Sequence, residues 1–322
     1  MEEKINAYKK NILILGGGGY IGLHLTKNLV DLDYSPTILT MNSEETSSLD
    51  FIQKTNTING SITNKKLLDE LVKGKDAIVN LVGYRDRKNR NPIKDLETNC
   101  IGELNLLESI AKYNPRAHHI FMGTREQFGK VRANGEIIDE EQVQKPNSFY
   151  GIHKKLCEEY LKSYSNLENL KISSLRSVGI FGPSLIGEPN HFTYTLIKKA
   201  LNGEDLTIRG DGSQIQDFIY IEDLTNLITT LISKETEGIY NVGSGKGISM
   251  KDLAFMINKK CDGKGKIIFQ EMSREEDYLD LDGCIMNIEK IKKETGWEPK
   301  TNICSGIDKT INWTKDKIRS RR

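Results

Sequence analysis

The chain contains 322 residues, of which 37% are hydrophobic and 28% charged, enough for one large domain or two modest ones with buried cores. Its formal net charge of +1 excludes a global field that attracts nucleic acid or an anionic membrane. The first residues lack the long apolar stretch of a signal peptide and no apolar run reaches membrane-spanning length, so we expect a cytoplasmic protein.

Short apolar runs alternate with helical patterns along the chain. The predicted strands span 11–15, 37–40, 76–82, 118–123, 171–178 and 238–244, and the predicted helices span 21–32, 100–113, 192–202, 222–233 and 249–260, with a last helix from 311. This alternation indicates crossover connections and predicts an α/β fold with a doubly wound parallel sheet. Five scattered cysteines without a CxxC pair suit a reducing compartment and predict no disulfide framework and no metal site.

A glycine-rich turn, GGGGYIG (16–22), follows the first strand directly and opens a helix. Gly16, Gly19 and Gly22 fit the spacing GxxGxxG, in which glycine allows a tight turn and a close approach of the backbone to a pyrophosphate. The helix N-terminus then offers unpaired N–H groups to the phosphates. The pattern predicts a dinucleotide site, and the alternative is a glycine turn without a ligand.

The end of the second strand does not identify the cofactor. Thr40, Met41 and Asn42 supply no carboxylate for a ribose 2′-hydroxyl, and Glu44 and Glu45 come slightly late. Since no lysine or arginine is nearby to receive a 2′-phosphate, the sequence leaves both NAD and NADP open.

The pattern YxxxK occurs three times, so its context must decide which pair has a catalytic role. Tyr84/Lys88 lies in a polar run that predicts a loop, and Tyr194/Lys198 fits an ordinary helix. Tyr150 and Lys154 follow a proline-containing turn and share one face of a predicted helix. Thr124 ends a predicted strand, at the edge where such sheets bind ligands.

This arrangement suits removal of a hydride from a carbinol carbon, which requires a base for the hydroxyl proton. An ammonium about 4 Å from a phenol is worth about 4 kcal/mol at an effective dielectric near 20. That energy corresponds to a fall of at most about three units in pKa. With the charge of an oxidised nicotinamide added, we expect the pKa of Tyr150 to lie near neutrality, and Thr124 to orient the same substrate hydroxyl.

These features together resemble the extended short-chain dehydrogenase/reductase family, the nucleotide-sugar epimerases and dehydratases. The ordered motifs are GGGGYIG, NLVG, TNCIGELNLLE, GTREQFGK, YGIHK, LRSVGIFGP, GDGSQIQDFIYIEDL, GIYNVGSG and TGWEPKT. The resemblance implies bound NAD or NADP, a nucleotide-sugar substrate and a homodimer built on a bundle that includes the Tyr150 helix. It implies catalytic roles for Thr124, Tyr150 and Lys154, with neither nucleic acid nor a membrane as a partner.

The resemblance also assigns binding residues and domains. The implied cofactor-binding residues are Gly16, Gly19, Tyr20, Ile21, Gly22, Asn42, Ser61, Ile62, Leu81, Val82, Gly83, Asn99, Tyr150 and Lys154. The implied substrate-binding residues are Thr124, Arg125, Glu126, Gly179, Gln216 and Arg274. We expect residues 1–178 to form a Rossmann domain and residues 179–322 a smaller substrate-binding domain, of which some segments pack back on the first.

Two positions depart from the family pattern. Gly179 stands where many members carry an asparagine that contacts the sugar nucleotide, and Gln216 stands where many carry an arginine that faces its phosphates. The family also carries an arginine before its last segment, and Arg274 in SREED is the candidate for it. The cluster Arg85, Arg87, Lys88 and Arg90 either compensates for the lost charge or forms a solvated loop.

The favoured function is epimerisation of a nucleoside-diphosphate sugar through a transient 4-keto sugar. A 4-ketoreductase would use the same residues with net cofactor turnover, and a 4,6-dehydratase or decarboxylase is a third alternative. Dehydratases commonly carry two acids after the threonine, whereas this chain has Arg125 and Glu126 there. Because a guanidinium does not donate a proton at neutral pH, Arg125 favours the epimerase. A non-catalytic nucleotide-binding regulator is the fourth alternative.

Overall fold

The computed structural model describes residues 9–41, 43–85, 90–131, 133–273 and 283–320. In chain order the strands are β1 (Ile12–Leu15), β2 (Thr37–Thr40), β3 (Asn56–Asn59), β4 (Ala77–Asn80), β5 (His118–Thr124), β6 (Glu136–Ile138), β7 (Ile172–Ser177), β8 (Gly179–Phe181), β9 (Leu206–Arg209), β10 (Ile215–Tyr220), β11 (Gly238–Val242), β12 (Gly247–Ser249), β13 (Ile267–Gln270) and β14 (Cys284–Met286). The α-helices are α1 (Tyr20–Asp31), α2 (Ser43–Thr46), α3 (Lys65–Leu71), α4 (Pro92–Leu96), α5 (Gly102–Tyr113), α6 (Phe149–Glu168), α7 (Phe192–Leu201), α8 (Ile221–Lys234), α9 (Met250–Lys260), α10 (Glu289–Thr295) and α11 (Ile303–Arg319).

A seven-stranded sheet with the order β11-β7-β5-β4-β1-β2-β3 forms the centre of the fold. All neighbouring strands in it are parallel. The strand order reverses between β1 and β4, and ligands in open α/β sheets bind at such a switch point, outside the carboxyl ends of the strands. The predicted doubly wound Rossmann sheet is confirmed.

The central strands are apolar because both faces of the sheet are covered by helices. All four residues of β1 and of β4 are buried. The predicted strands and helices named above are present, most of them with boundaries shifted by a few residues. The last helix, predicted from 311, begins about two turns earlier, at Ile303. The predicted helix over 100–113 begins at Gly102, after a π-helical turn over Glu97–Ile101. We did not predict β3, an edge strand whose sequence NTIN carries one apolar side chain and exposed ends.

Three small sheets among the described residues have the orders β12-β10-β8, β13-β9 and β14-β6, and all their strands except β6 come from the later part of the chain. Helices α7, α9 and α11 pack on the first two sheets and share with them an apolar core that includes Phe181, Tyr220 and Ile257. β11 returns to the edge of the large sheet beside β7. Among the described residues, no helix combines the length and apolar character needed to cross a membrane.

A buried carboxylate joins helix α6 to the sheet. The side chain of Glu158 is fully buried and accepts hydrogen bonds from Arg176 Nε at 2.9 Å and Nη2 at 2.6 Å. Gln127 Nε2 donates to the same carboxylate at 3.1 Å, and Gln127 Oε1 accepts the backbone N–H of Thr124 at 2.9 Å. Helix α6, strand β7 and the turn after β5 are therefore held by one network.

The ionisation of Glu158 is a source of stability. Burial opposes ionisation, but the Arg176 guanidinium and the hydrogen bonds from Gln144 and Gln127 outweigh it and hold the pKa of Glu158 at about 2, below its ordinary value of 4.5. Because the folded-state pKa is lowered, the contribution is fully present above about pH 4.5 and is lost as the pH falls toward 2.

Substitution Arg176→Met should destabilise the fold by about 3 kcal/mol, because it removes the main counter-charge of a buried carboxylate. Lys162 remains 3.5 Å from Glu158 but is partly exposed. Urea unfolding at pH 7 measures the change. The double variant Glu158→Gln/Arg176→Met is the control and should lose less stability than the single one, whereas a loss below about 1 kcal/mol in Arg176→Met would contradict this account.

Candidate active site

A cleft of about 610 Å³ opens at the carboxyl ends of β5 and β7 and continues between them and β10. Its wall combines residues from the large sheet with residues of the later sheets. The lining residues include Tyr20, Ile21, Arg85, Thr124, Arg125, Glu126, Ser148, Tyr150, Gly179, Gln216, Asp217 and the segment 190–193. Most of the predicted catalytic and substrate-binding residues that the structure describes therefore face one cavity.

The glycine turn lies against the end of β4. Gly16 has φ +77°, a left-handed conformation that favours glycine, and a Cβ there would lie 3.1 Å from the backbone of Leu81 and Val82. Gly19 caps helix α1 without a side chain, so no side chain competes for the first amides of the helix. A Cβ at Gly22 would clash with the Gly16 carbonyl. This turn fits the pyrophosphate of a dinucleotide.

The other predicted cofactor residues line up along the same edge of the sheet. Ser61 and Ile62 follow β3, and Ile62 is buried against Gly102 at the start of α5. Leu81, Val82 and Gly83 follow β4. Asn42 lies outside the described residues.

Asn99 fixes the segment after β4. Its side chain accepts the N–H of Tyr84 at 3.0 Å and donates to the Tyr84 carbonyl at 2.7 Å. The Asn99 amide also donates to Asp95, whose carboxylate contacts His153 Nδ1 at 2.7 Å. Asn99 is therefore a clamp that ties the 81–85 segment to the π-helical turn and to α6.

Tyr150 and Lys154 lie one turn apart on α6, which begins after the N-cap Ser148. Lys154 is buried, donates from Nζ to the Val82 carbonyl at 3.3 Å and lies 5.8 Å from the centroid of the Tyr150 ring. A Cβ at Gly83 would lie 3.5 Å from the Tyr150 hydroxyl. The hydroxyl thus lies beside Gly83, on a side chain that lines the cleft.

The two other YxxxK pairs do not share this position. Tyr194 is buried on α7 and packs against Trp313, while Lys198 pairs with Glu188 at 2.6 Å. Tyr84 lies in the loop after β4, and Lys88 lies outside the described residues.

The expected neutral pKa of Tyr150 is not found in the chain alone. Burial raises the pKa of Tyr150 above its ordinary value of 10, and the Glu126 carboxylate raises it further, while Arg85 opposes the rise. Burial also lowers the pKa of Lys154. The expected pKa near neutrality includes the charge of an oxidised nicotinamide and stays a prediction, whereas in the chain alone the cost of burying a phenolate outweighs the nearby positive charges.

Thr124 ends β5 and begins a short 3₁₀ turn over Arg125–Gln127. Its hydroxyl accepts the N–H of Glu126 at 3.3 Å, and the Gln127 side chain closes a capping box on the Thr124 backbone. Arg125 donates from Nη1 to Cys284 Sγ at 3.5 Å, toward β14. The turn therefore fixes Thr124 and directs the two following side chains apart.

The carboxylate of Glu126 contacts two side chains, and the sequence predicted neither contact. One carboxylate oxygen lies 2.5 Å from Arg85 Nη2, and the other accepts a hydrogen bond from Ser148 Oγ at 2.8 Å. The guanidinium carbon of Arg85 lies 5.9 Å from the centroid of the Tyr150 ring. Arg85, which we grouped with a basic loop, thus faces the predicted proton carrier; Arg87 and Lys88 lie outside the described residues.

The two residues that depart from the family pattern, Gly179 and Gln216, both line the substrate side of the cleft. Gly179 begins β8, and a Cβ there would touch the Phe218 ring at 3.1 Å. Gln216 lies on β10 next to Asp217, a buried carboxylate that accepts N–H groups from Ser244, Gly245 and Met286. Burial raises the pKa of Asp217. Arg274 lies outside the described residues.

Sequence reasoning missed the segment 190–193, which lines the cleft at the N-terminus of α7. His191 caps α7 by accepting the Tyr194 N–H at Nδ1. The available signal was a polar Pro-Asn-His run directly before a predicted helix.

The chain is similar to known proteins over most of its length. The model of the NAD dependent epimerase/dehydratase family matches residues 12–243, more than half of the chain. A protein of Methanocaldococcus jannaschii, assigned provisionally as a UDP-glucose 4-epimerase, is 28% identical over 314 residues, which cover 96% of this chain and 100% of that one. UDP-glucuronic acid decarboxylase 1 of Xenopus tropicalis is 27% identical over 324 residues, covering 96% of this chain and 73% of the relative.

A solved structure shares the fold over nearly the full length. UDP-glucose 4-epimerase of Thermotoga maritima, determined with UDP-glucose, superimposes with a TM-score of 0.85 at 24% identity. The match covers 96% of this chain and 99% of that one. At this identity the likeness shows the fold.

Proposed function

The chain belongs to the NAD dependent epimerase/dehydratase family, and on that premise we propose that it epimerises a nucleoside-diphosphate sugar through a transient 4-keto sugar. One observation carries this proposal. Thr124 and Tyr150 line the cleft beside a carboxylate, Glu126, whose two oxygens are already bound by Arg85 and Ser148. The cleft thus offers a proton carrier for oxidation at one carbon, and no free acid at Glu126 for loss of a hydroxyl.

We propose that the cofactor is NAD and that the glycine turn holds its pyrophosphate. Gly16 and Gly19 support this placement, since the backbone there is open to close approach and the α1 amides carry no side-chain cap. Positions 41–46, Met-Asn-Ser-Glu-Glu-Thr, contain no lysine or arginine for a 2′-phosphate. When bound, NAD supplies the hydride acceptor and donor, and in its oxidised form a positive charge.

Tyr150 is proposed to take the proton of the substrate 4-hydroxyl and to return it after the ketone is reduced. Because burial raises the pKa of Tyr150 in the chain alone, Lys154 and the oxidised cofactor must both act to stabilise the phenolate. Lys154 has a second role in holding the Val82 carbonyl, which keeps the 81–83 segment against α6. Thr124 orients the hydroxyl, held in place through Gln127 and Glu158.

The substrate is proposed to bind between the two parts of the chain, with residues 1–178 holding the cofactor and residues 179–322 most of the nucleotide sugar. Gly179, Gln216 and Arg125 line the substrate side of the cleft. Since Gln216 carries no charge, Arg125 is our candidate for a charge-assisted contact to the diphosphate.

A dehydratase or decarboxylase is the second candidate, favoured by the presence of Glu126 two residues after Thr124. A carboxylate there can act as a base, but Arg85 and Ser148 compete for it. A 4-ketoreductase would use Thr124, Tyr150 and Lys154 unchanged.

Substitution Tyr150→Phe should lower turnover by about 100- to 10,000-fold, the usual loss on removal of a general base. Glu126→Gln should lower it less than tenfold, because an epimerase does not use an acid or base at that position. Turnover of a panel of UDP, dTDP, GDP, CDP and ADP sugars, run in deuterium oxide and followed by mass spectrometry, provides the measurement.

Epimerisation through the 4-keto sugar should leave no deuterium on carbon. Stable deuterium at the fifth or sixth carbon, together with an inactive Glu126→Gln variant, would contradict the epimerase proposal and support the dehydratase. No turnover and no binding of any nucleotide sugar would contradict the proposed function as a whole.

We further propose a homodimer through the outer face of α6. Ile152 and Leu156 lie one turn apart on this helix with 43% and 37% of their surface exposed, and Ile101 on the adjoining π-helical turn is 44% exposed.

Substitution Ile152→Lys should give a monomer by light scattering, since a charge buried in the proposed interface would prevent the two copies from packing. Phe255→Lys changes an exposed apolar residue on α9 and is the matched control, which should leave the mass unchanged. A dimer mass that persists in Ile152→Lys would contradict the proposal that the outer face of α6 is the dimer interface.

A further inference from the structure

We infer that the Arg85–Glu126 pair restricts the substrate to sugars with uncharged ring substituents and excludes uronic acids. The inference rests on the proposed function, since it assumes a nucleotide sugar bound with its reacting hydroxyl at Thr124 and Tyr150. It concerns the substituents next to that hydroxyl, on the two neighbouring ring carbons. The nucleotide diphosphate lies on the far side of the sugar ring.

The pair lies where those substituents must fit. Glu126 is two residues beyond Thr124 and its backbone N–H donates to the Thr124 hydroxyl at 3.3 Å. The Arg85 guanidinium carbon is 5.9 Å from the centroid of the Tyr150 ring. Both side chains line the same cleft as Thr124 and Tyr150. A group attached beside the reacting carbon therefore meets the pair.

Both oxygens of Glu126 have partners, while the Arg85 side chain is 46% exposed. The Glu126 side chain is 9% exposed, with one oxygen 2.5 Å from Arg85 and the other 2.8 Å from Ser148 Oγ. Ser148 is itself buried and its hydroxyl also accepts the Gly151 N–H, so it cannot turn away without freeing the N-cap of α6. Arg85 is therefore the counter-ion that compensates the buried charge of Glu126.

A sugar carboxylate would disturb this balance. If Arg85 turned to the sugar, Glu126 would remain buried with a hydroxyl as its partner, which is strongly unfavourable. If Arg85 bridged the two groups, one guanidinium would face two neighbouring carboxylates, which repel each other. A neutral hydroxyl can instead donate to Glu126 while Arg85 stays in place. Specificity then arises from a repulsive element directed against the acidic sugar.

Arg125 is the other described arginine that lines the cleft. Its guanidinium is directed toward Cys284 on β14, away from the Arg85–Glu126 pair. A uronate bound to Arg125 would not contact Arg85 or Glu126, so the variant Arg125→Met is tested as well.

The test compares the binding of UDP-glucose and UDP-glucuronate by calorimetry with the full chain and saturating NAD. The wild type should bind UDP-glucose at least tenfold more tightly. Glu126→Gln keeps the shape of the side chain and releases the charge of Arg85, so it should raise the relative affinity for UDP-glucuronate by at least tenfold. Arg85→Met should shift the ratio the other way, and the double variant should lose the gain of Glu126→Gln.

Glu70→Gln is the matched control, because Glu70 pairs with Lys73 on the exposed surface of the chain and should leave the ratio unchanged. Equal or tighter binding of UDP-glucuronate by the wild type would overturn the inference, as would an unchanged ratio in Glu126→Gln. Preference for the uronate that is lost in Arg125→Met would assign the acidic sugar to Arg125 and would also overturn it. Binding of neither nucleotide sugar would reject the proposed function itself.

Discussion

The buried carboxylate of Glu158 is the interaction on which the site depends. Through Arg176 it fixes α6 to the end of β7, and through Gln127 it fixes the backbone of Thr124. Because Tyr150 is on the same helix, the distance between the proposed proton carrier and the proposed orienting hydroxyl of Thr124 is set by a network that lies behind the cleft. A buried charge is costly unless it is paired, so breaking one hydrogen bond of this network is strongly unfavourable. The network therefore holds Thr124 and Tyr150 in the accurate positions that the reaction needs.

Most of the large sheet could be predicted from the sequence because its strands are buried on both faces and therefore apolar throughout, as in β1 and β4. The edge strand β3 escaped prediction because tertiary pairing with β2, and not apolar content, makes its NTIN sequence extended. The π-helical turn over Glu97–Ile101 leaves no mark in a helical pattern. It places Asn99 against the 81–85 segment, which only the folded chain reveals.

For the site, the YxxxK spacing gave three candidate pairs, and the sequence context selected Tyr150 and Lys154. A helical turn and the end of a parallel strand then predicted where Tyr150, Lys154 and Thr124 lie. The electrostatics could not be predicted in the same way. Arg85 and Glu126 are 41 positions apart, and their pairing arises from the meeting of two loops at the sheet edge. The pKa of Tyr150 depends on burial as well as on charge, and in the chain alone burial raises it, which a count of nearby cations does not reveal.

In the proposed reaction, one carbon of the sugar is oxidised and reduced again within a single cleft, with Tyr150 carrying the proton. The most direct test of this reaction follows a nucleotide sugar that carries deuterium at the fourth carbon, incubated with the enzyme and NAD in ordinary water. The epimerised product should keep the label at the fourth carbon, because the hydride leaves and returns without exchange. A product that has lost the label to solvent, or that carries it at the sixth carbon, would rule out this reaction.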